Sequence, residues 1–332
     1  MALIGSLTSG VSALDAFEEG LEVIGNNIAN VNTTGYKDQT VDYANSFSEV
    51  LQEATPPSSS NGNGAPTVET EQIGTGVEIS GINTNFTQGT LTTTGNNTDL
   101  GVSGNGFFVV RDPTNNTDYV TRDGSFQLDS QGYLVTSQGY RLQGLVGGGA
   151  TYAATTDANG ALVYTQTAVA PSSLGDVQVN FKLAIGGGLT NGTGGAYTDA
   201  QVQAGAPTMQ NFTVDKSGNV VETLSNGDTV NQGQVLLQGF QDPSALVQEG
   251  DNLYGNIDAA GPVGGTGLSA ANNTAGSNGL GSIQVGTLEG SNVDLTQEFA
   301  NLITAQRSFQ AASRVITTSD TILDEIIHLK QS

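Results

Sequence analysis

The chain has 332 residues with 9 Lys and Arg against 32 Asp and Glu, a net charge of -23, and no cysteine. That balance argues against nucleic-acid phosphates or an anionic membrane surface as partners, and the missing cysteines exclude disulfides and thiolate metal sites. Only 12% of residues are charged, the polar surface being Asn, Thr, Ser, Gln and Gly, which is the texture of an extracellular β protein of two or three domains.

From the N-terminus, Leu7, Val11, Leu14, Phe17, Leu21, Ile24, Ile28 and Val31 step by threes and fours, which predicts a helix over about 6–30 with one apolar seam. Gly10, Gly20 and Gly25 interrupt it, each costing about 1 kcal/mol relative to Ala. Two compatible readings follow: a helix that is weak alone, or one that another backbone approaches closely. Asn30, Asn32 and Gly35 supply a helix stop and a turn. An inner domain is thus expected to open with residues 1–50, and the Pro-, Ser-, Asn- and Gly-rich stretch 51–75 reads as a linker and domain boundary.

Short alternating apolar runs fill the next part. Val77 and Ile79 with Ile82, then Phe107–Val110, Tyr119–Val120 and Phe126–Leu134, predict an antiparallel β domain over 76–145 that resumes over 206–285. Within the second part Phe212, Val214, Val220, Val235 and Leu237 alternate around Ser217-Gly218-Asn219 and Ser225-Asn226-Gly227-Asp228, which predicts successive hairpins. Residues 146–205, with two GGG runs, read as a variable β insertion or separate outer domain. The C-terminal region 286–332 is expected to close the inner domain. Leu295, Phe299, Leu302, Phe309, Ile316, Leu323 and Ile327 form its seam, with Gln306, Ser313 and Asp320 between; Ser291, Asn292 and Asp294 are candidate caps, and Glu298 lies in the first turn.

Catalytic constellations are missing. The lone His328 sits where a cap or solvated side chain is expected, and Asp294 with Glu298 fits a helix start better than acid–base work. Gly101-Val102-Ser103-Gly104-Asn105-Gly106 runs into the strand Phe107–Val110 rather than a helix N-terminus, so it reads as turn glycines instead of a phosphate loop. Asp112, Asn116, Asp118 and Asp123 echo a calcium loop without its central Gly or closing Glu. No cofactor and no metal are expected. Arg307 and Arg314, one heptad apart, read either as exposed charges or as partners for Glu18, Glu19 or Glu22 of the same or an adjacent subunit. No stretch approaches the ~20 apolar residues of a membrane span, and the first residues lack the basic and apolar regions of a secretory signal.

Gly25-Asn26-Asn27-Ile28-Ala29-Asn30-Val31-Asn32-Thr33-Thr34-Gly35-Tyr36-Lys37 resembles the signature of the axial proteins of the bacterial flagellum. Phe86–Thr90, Asn105–Phe108 and Tyr119–Phe126 are similar to that family's shared β domain, and Ser291–Leu295 with Ala305–Ala311 to its terminal helix. Ser225–Val235 and Gly250–Tyr254, together with chain length, resemble the hook branch more than the rod branch. The resemblance implies a non-enzymatic subunit that is exported through the flagellum's own apparatus without signal cleavage. It also implies a helical homopolymer meeting rod, hook-cap and hook–filament junction proteins. The expected fold is mixed α and β: terminal helices forming a coiled-coil layer, with mainly antiparallel β domains between them. A distal rod subunit is the nearest alternative. A β-rich surface adhesin, which calls for a secretory signal or anchor, and an enzyme, which calls for a pocket with convergent ionisable groups, are more distant ones.

Overall fold

The computed structural model describes residues 2–52, 71–147, 149–156, 162–179, 184–185, 209–225, 227–265 and 267–331. The expected linker tip at 53–70, and most of the variable stretch beyond 179, lie outside the described residues. The fold is mixed α and β with mainly antiparallel sheets, and it divides into two units. One unit gathers residues 1–31, 37–85 and 293–332; the other gathers 32–36 and 86–292.

The first unit is built on the helices Ala2–Ala29 and Leu295–Gln331. They run antiparallel: Ser6 Oγ lies 3.2 Å from Ser319 Oγ at one end, and Asn27 Nδ2 donates to Glu298 Oε2 at 3.3 Å at the other. Asp294 caps the second helix, its Oδ1 accepting from Thr296 N at 2.8 Å, and Glu298 lies in the first turn, buried against Asn27. Beside the helices, β1 (Gln39–Asn45) pairs antiparallel with β4 (Val77–Thr84), and β2 (Ser48–Gln52) with β3 (Glu71–Gly74). Bonds from Ser46 N to Gly76 O (2.9 Å) and Thr75 N to Phe47 O (2.8 Å) join the two pairs into one long ribbon.

That ribbon corrects two boundaries. Residues 51–75 are not the passage between units, because the strands on either side of 53–70 pair with each other; and Val77, Ile79 and Ile82 belong with the helices, not with the β domain. At the C-terminal side, Thr287–Glu289 pairs with Leu91–Thr93, so 286–292 belongs to the β unit rather than to the terminal helix.

In the second unit the main sheet runs in the order 209–214, 219–224, 229–235, 141–146, 107–111, 118–121, 253–255, 247–250. The hairpins expected over 209–235 form with left-handed glycines at their turns, Gly218 (φ 85°) and Gly227 (φ 87°). Strand Phe107–Arg111 is covered on both faces, which is why its apolar residues are consecutive rather than alternating. Phe108 and Val110 enter one cluster with Leu100, Phe126, Leu142 and Leu237, while Phe107 and Val109 enter another with Val120, Leu246 and Tyr254. Edge-on ring contacts of Phe107 with Phe86 (5.5 Å) and Phe240 (5.6 Å) hold the second cluster. In the variable stretch, Gly149–Thr156 and Leu162–Val169 form a regular antiparallel pair.

Candidate assembly surfaces

The two helices meet through small side chains. On the N-terminal helix Gly10, Ala16, Gly20, Val23 and Asn27 are buried, a stripe one residue earlier than the apolar seam read from the sequence. One residue is a 100° turn, so the seam is rotated off the contact. Leu7, Leu14, Phe17, Leu21, Ile24, Ile28 and Val31 are half-buried flanks, and Val11 is 49% exposed. At Gly10 the reason is close approach of the other helix, since a Cβ there would lie 2.9 Å from Ile316 Cγ1; at Gly20 it is β1, where a Cβ would strike the Tyr43 hydroxyl. Gly25 has open space around it, so its cost to the helix is not offset by packing.

On the C-terminal helix Leu302, Phe309, Ile316 and Leu323 are half-buried as part of the contact, but the alternating positions are Ala305, Ala312 and Ser319 rather than Gln306, Ser313 and Asp320. Leu295 (39%), Phe299 (51%), Ile303 (50%), Val315 (48%), Ile322 (43%), Ile326 (52%) and Ile327 (53%) remain exposed. The ribbon adds Phe47 (86%), Val50 (51%), Leu51 (54%) and Ile73 (58%). A two-stranded ribbon is marginal in water by itself, and these apolar side chains are left without cover among the described residues. Phe17 meets Tyr43 of β1 with tilted rings 5.9 Å apart, and the Tyr43 hydroxyl is held above its ordinary pKa by burial and by Glu19.

The family-like motif is split between two jobs. Within the helix unit Asn27 fastens the start of β1, with Nδ2 donating to Gln39 O (2.8 Å) and Oδ1 accepting from Gln39 N (3.0 Å). Asn30 closes the helix end by donating to Asn26 O (3.0 Å) and Asn26 Oδ1 (2.9 Å), and Ile28 and Ala29 complete the last turn. Within the β unit, residues 32–36 are clipped in place: Gly35 N donates to Glu289 O (2.8 Å) and Asn252 Nδ2 to Thr34 O (2.6 Å). Gly35 has φ 71°, and a Cβ there would lie 2.6 Å from Asp123 N, so only glycine fits. Tyr36 is 2% exposed.

Beneath the clip lies a buried ion pair that sequence reasoning missed. Arg122 Nη1 donates to Glu289 Oε2 at 3.1 Å and Nη2 to Gly104 O at 3.0 Å, while Glu289 Oε1 accepts from Gly89 N at 2.9 Å. The guanidinium stacks 4.9 Å from the Phe107 ring centre. Burial lowers the Arg122 pKa, opposed by Glu289, and burial raises that of Tyr254. The signal available in the sequence was scarcity: one of nine cations lies between two strands, in Tyr119–Phe126.

The other candidates are dispersed. Asp112 takes up its own turn through Thr114 N (2.7 Å), Asp118 pairs with Arg111 (2.6 Å), and Asp123 accepts from Ser125 N (3.0 Å), so these carboxylates do not converge. The groove between the helices and β1 has Glu298 and Tyr43 as its ionisable groups, and Glu298 is tied to Asn27 and Asn301. Arg307, Arg314 and His328 are exposed, and Arg307 and Arg314 form no ion pair among the described residues.

Three family models match successive parts of the chain. They are "Flagella basal body rod protein" over 7–37, "Flagellar hook protein FlgE/F/G D1 domain" over 101–222, and "Flagellar basal body rod FlgEFG protein C-terminal" over 284–329. The flagellar basal-body rod protein FlgG of Bacillus subtilis is 32% identical over 329 positions, covering 99% of this chain and 100% of that one. The flagellar hook proteins FlgE of Borreliella burgdorferi (29% over 456 positions; 99% and 100% covered) and Escherichia coli (26% over 430; 98% and 100%) are also similar. A solved hook protein, FlgE2 of Helicobacter pylori, aligns over 60% of this chain and 100% of its own with a TM-score of 0.36. With its termini and β unit each matched in order, the chain belongs to the flagellar rod/hook family of structural proteins.

Proposed function

We propose that the chain is a hook subunit that polymerises into a bendable tube, transmitting torque and enclosing the export channel. The terminal helices of neighbouring copies form a coiled-coil inner layer, and the β units lie outside it. One observation carries this reading: after the helix pair has closed, Val11, Leu295, Phe299, Ile303, Val315, Ile322, Ile326 and Ile327 remain exposed on it. The assembly interface is assigned to Leu7, Val11, Leu14, Phe17, Leu21, Ile24, Ile28 and Val31 with Leu295, Phe299, Leu302, Phe309, Ile316, Leu323 and Ile327. Heterologous contacts that do not close propagate such a tube, and curvature requires outer contacts with near-equal packings. Partners are further copies, rod, hook-cap and hook–filament junction proteins and the flagellar export apparatus, without nucleic acid or membrane insertion; the site is the hook/basal body, reached without signal cleavage.

A distal rod subunit is the second reading. It is supported by the Bacillus rod protein, 32% identical over 99% of this chain, beside 29% and 26% for the two hook proteins. Electron microscopy of the purified chain at high concentration separates the two: curved tubes support the hook, straight ones the rod, and the absence of any tube refutes both.

A further inference from the structure

We propose that neighbouring copies dock the acidic face of one N-terminal helix against the Arg307–Arg314 face of the next copy's C-terminal helix. This rests on the polymer reading and adds a charge-encoded contact to it. The only charged residues in the N-terminal helix are Asp15, Glu18, Glu19 and Glu22, all exposed. Their spacing of three, four and seven puts them on one face, about a third of a turn from the buried stripe of Gly10, Ala16, Gly20 and Val23, with Glu19 nearest that stripe. From Phe299 to Ser319 the C-terminal helix carries two charges, Arg307 and Arg314. Each is two residues, roughly 200°, past the contact positions Ala305 and Ala312, so they too point away from the pair.

The arginine face therefore looks outward on the far side of its helix, and the acidic face looks outward on the flank of the other. Across two helices of ~10 Å diameter each they lie beyond the ~8 Å screening length at physiological salt, and they stay unmatched within a chain. A second copy matches them. Arg307 and Arg314 are seven residues apart, ~10.5 Å along the helix, and so are Asp15 and Glu22. An antiparallel encounter sets Arg314 on Asp15 and Arg307 on Glu22, with Glu18 and Glu19 between.

The register has a geometric consequence. Inside one chain Ser6 faces Ser319 and Asn27 faces Glu298, which places Glu18 level with Arg307. Bringing Glu22 to Arg307 displaces the neighbour by four residues of rise, roughly 6 Å, along the helices. A heterologous contact with an axial step generates a helical assembly rather than a flat ring. Asp320, Asp324 and Glu325 make the far end of the C-terminal helix acidic, so sliding further along sets like charges together and fixes the register.

The test is the critical concentration for polymer formation by the full chain, read by sedimentation and microscopy, with helix content checked by circular dichroism. R307E/R314E and D15K/E22K each raise it by about tenfold or more, and combining them returns it to within about threefold of the unaltered chain. If the chain polymerises and each reversal polymerises equally well, or the combination stays as impaired as either parent, the charge contact is overturned while the polymer reading stands. A chain that never polymerises, seeded or not, overturns both. Should a reversal lose helix content, R307Q/R314Q decides: a critical concentration less sensitive to salt supports the contact, and unchanged salt dependence overturns it.

Discussion

Replacing Gly35 with alanine tests the clip that holds residues 32–36 in the β unit. The residue sits at φ 71°, where an L side chain costs about 1–2 kcal/mol. The added methyl would lie 2.6 Å from Asp123 N and 2.8 Å from Arg122 C, both backbone atoms that cannot swing aside. Overpacking of this kind costs about 1–3 kcal/mol, so Gly35→Ala should destabilise by roughly 2–5 kcal/mol. Two controls separate strain from collision. Gly227, at φ 87° with nothing within 4 Å, should lose only about 1–2 kcal/mol as alanine. Gly25, helical and likewise open, should gain about 0.5–1 kcal/mol. The assay is urea unfolding of dilute chain followed by tyrosine fluorescence. A loss at Gly35 no larger than at Gly227 would refute the clip.

Further outcomes follow from the same packing. Arg122→Met leaves Glu289 charged and buried and should cost about 3–5 kcal/mol, whereas Arg122→Met with Glu289→Leu should cost less than either single change; a double-mutant cycle by denaturant unfolding reads this. Glu222 is 0% exposed, its pKa is raised by burial despite a bond from Gln232, and its Oε1 lacks a partner. A raised folded pKa makes its contribution full below about pH 4.5 and lost as pH rises through the folded value. Glu222→Gln should therefore stabilise the chain at pH 8 more than at pH 4.5, and equal effects at both would contradict the assignment. Asn27→Ala removes three hydrogen bonds at a buried site and should cost about 2–3 kcal/mol, read as an earlier loss of helical signal on heating.

The helices and the hairpins over 209–235 were legible because their periodicity matches their burial. The helix–helix contact was not, since a sequence reading follows the largest apolar residues, while Gly10 admits Ile316, Gly20 admits Tyr43, and Leu7, Leu14 and Leu21 flank them. The unit to which Val77–Thr84 belongs is not legible, because its partner, Gln39–Asn45, lies beyond a stretch that looks like a linker; alternation predicts a strand but not whom it pairs with. The clip was half visible. Gly35 reads as a turn, but its need for glycine comes from Asp123 and Arg122, which are far away in sequence. Glu289 gave no sign of burial, because a single carboxylate between Thr287 and Gly290 has no pattern.

The central claim is that the terminal helices are completed only by neighbouring copies. Deleting residues 1–30 keeps the clipped segment 32–36 and removes the whole N-terminal helix, so imaging that variant beside the full chain at equal concentration is the most direct measurement. Tubes from the full chain, with a soluble monomer of intact β-structure from the deletion, are the predicted result; tubes from the deletion variant would contradict it.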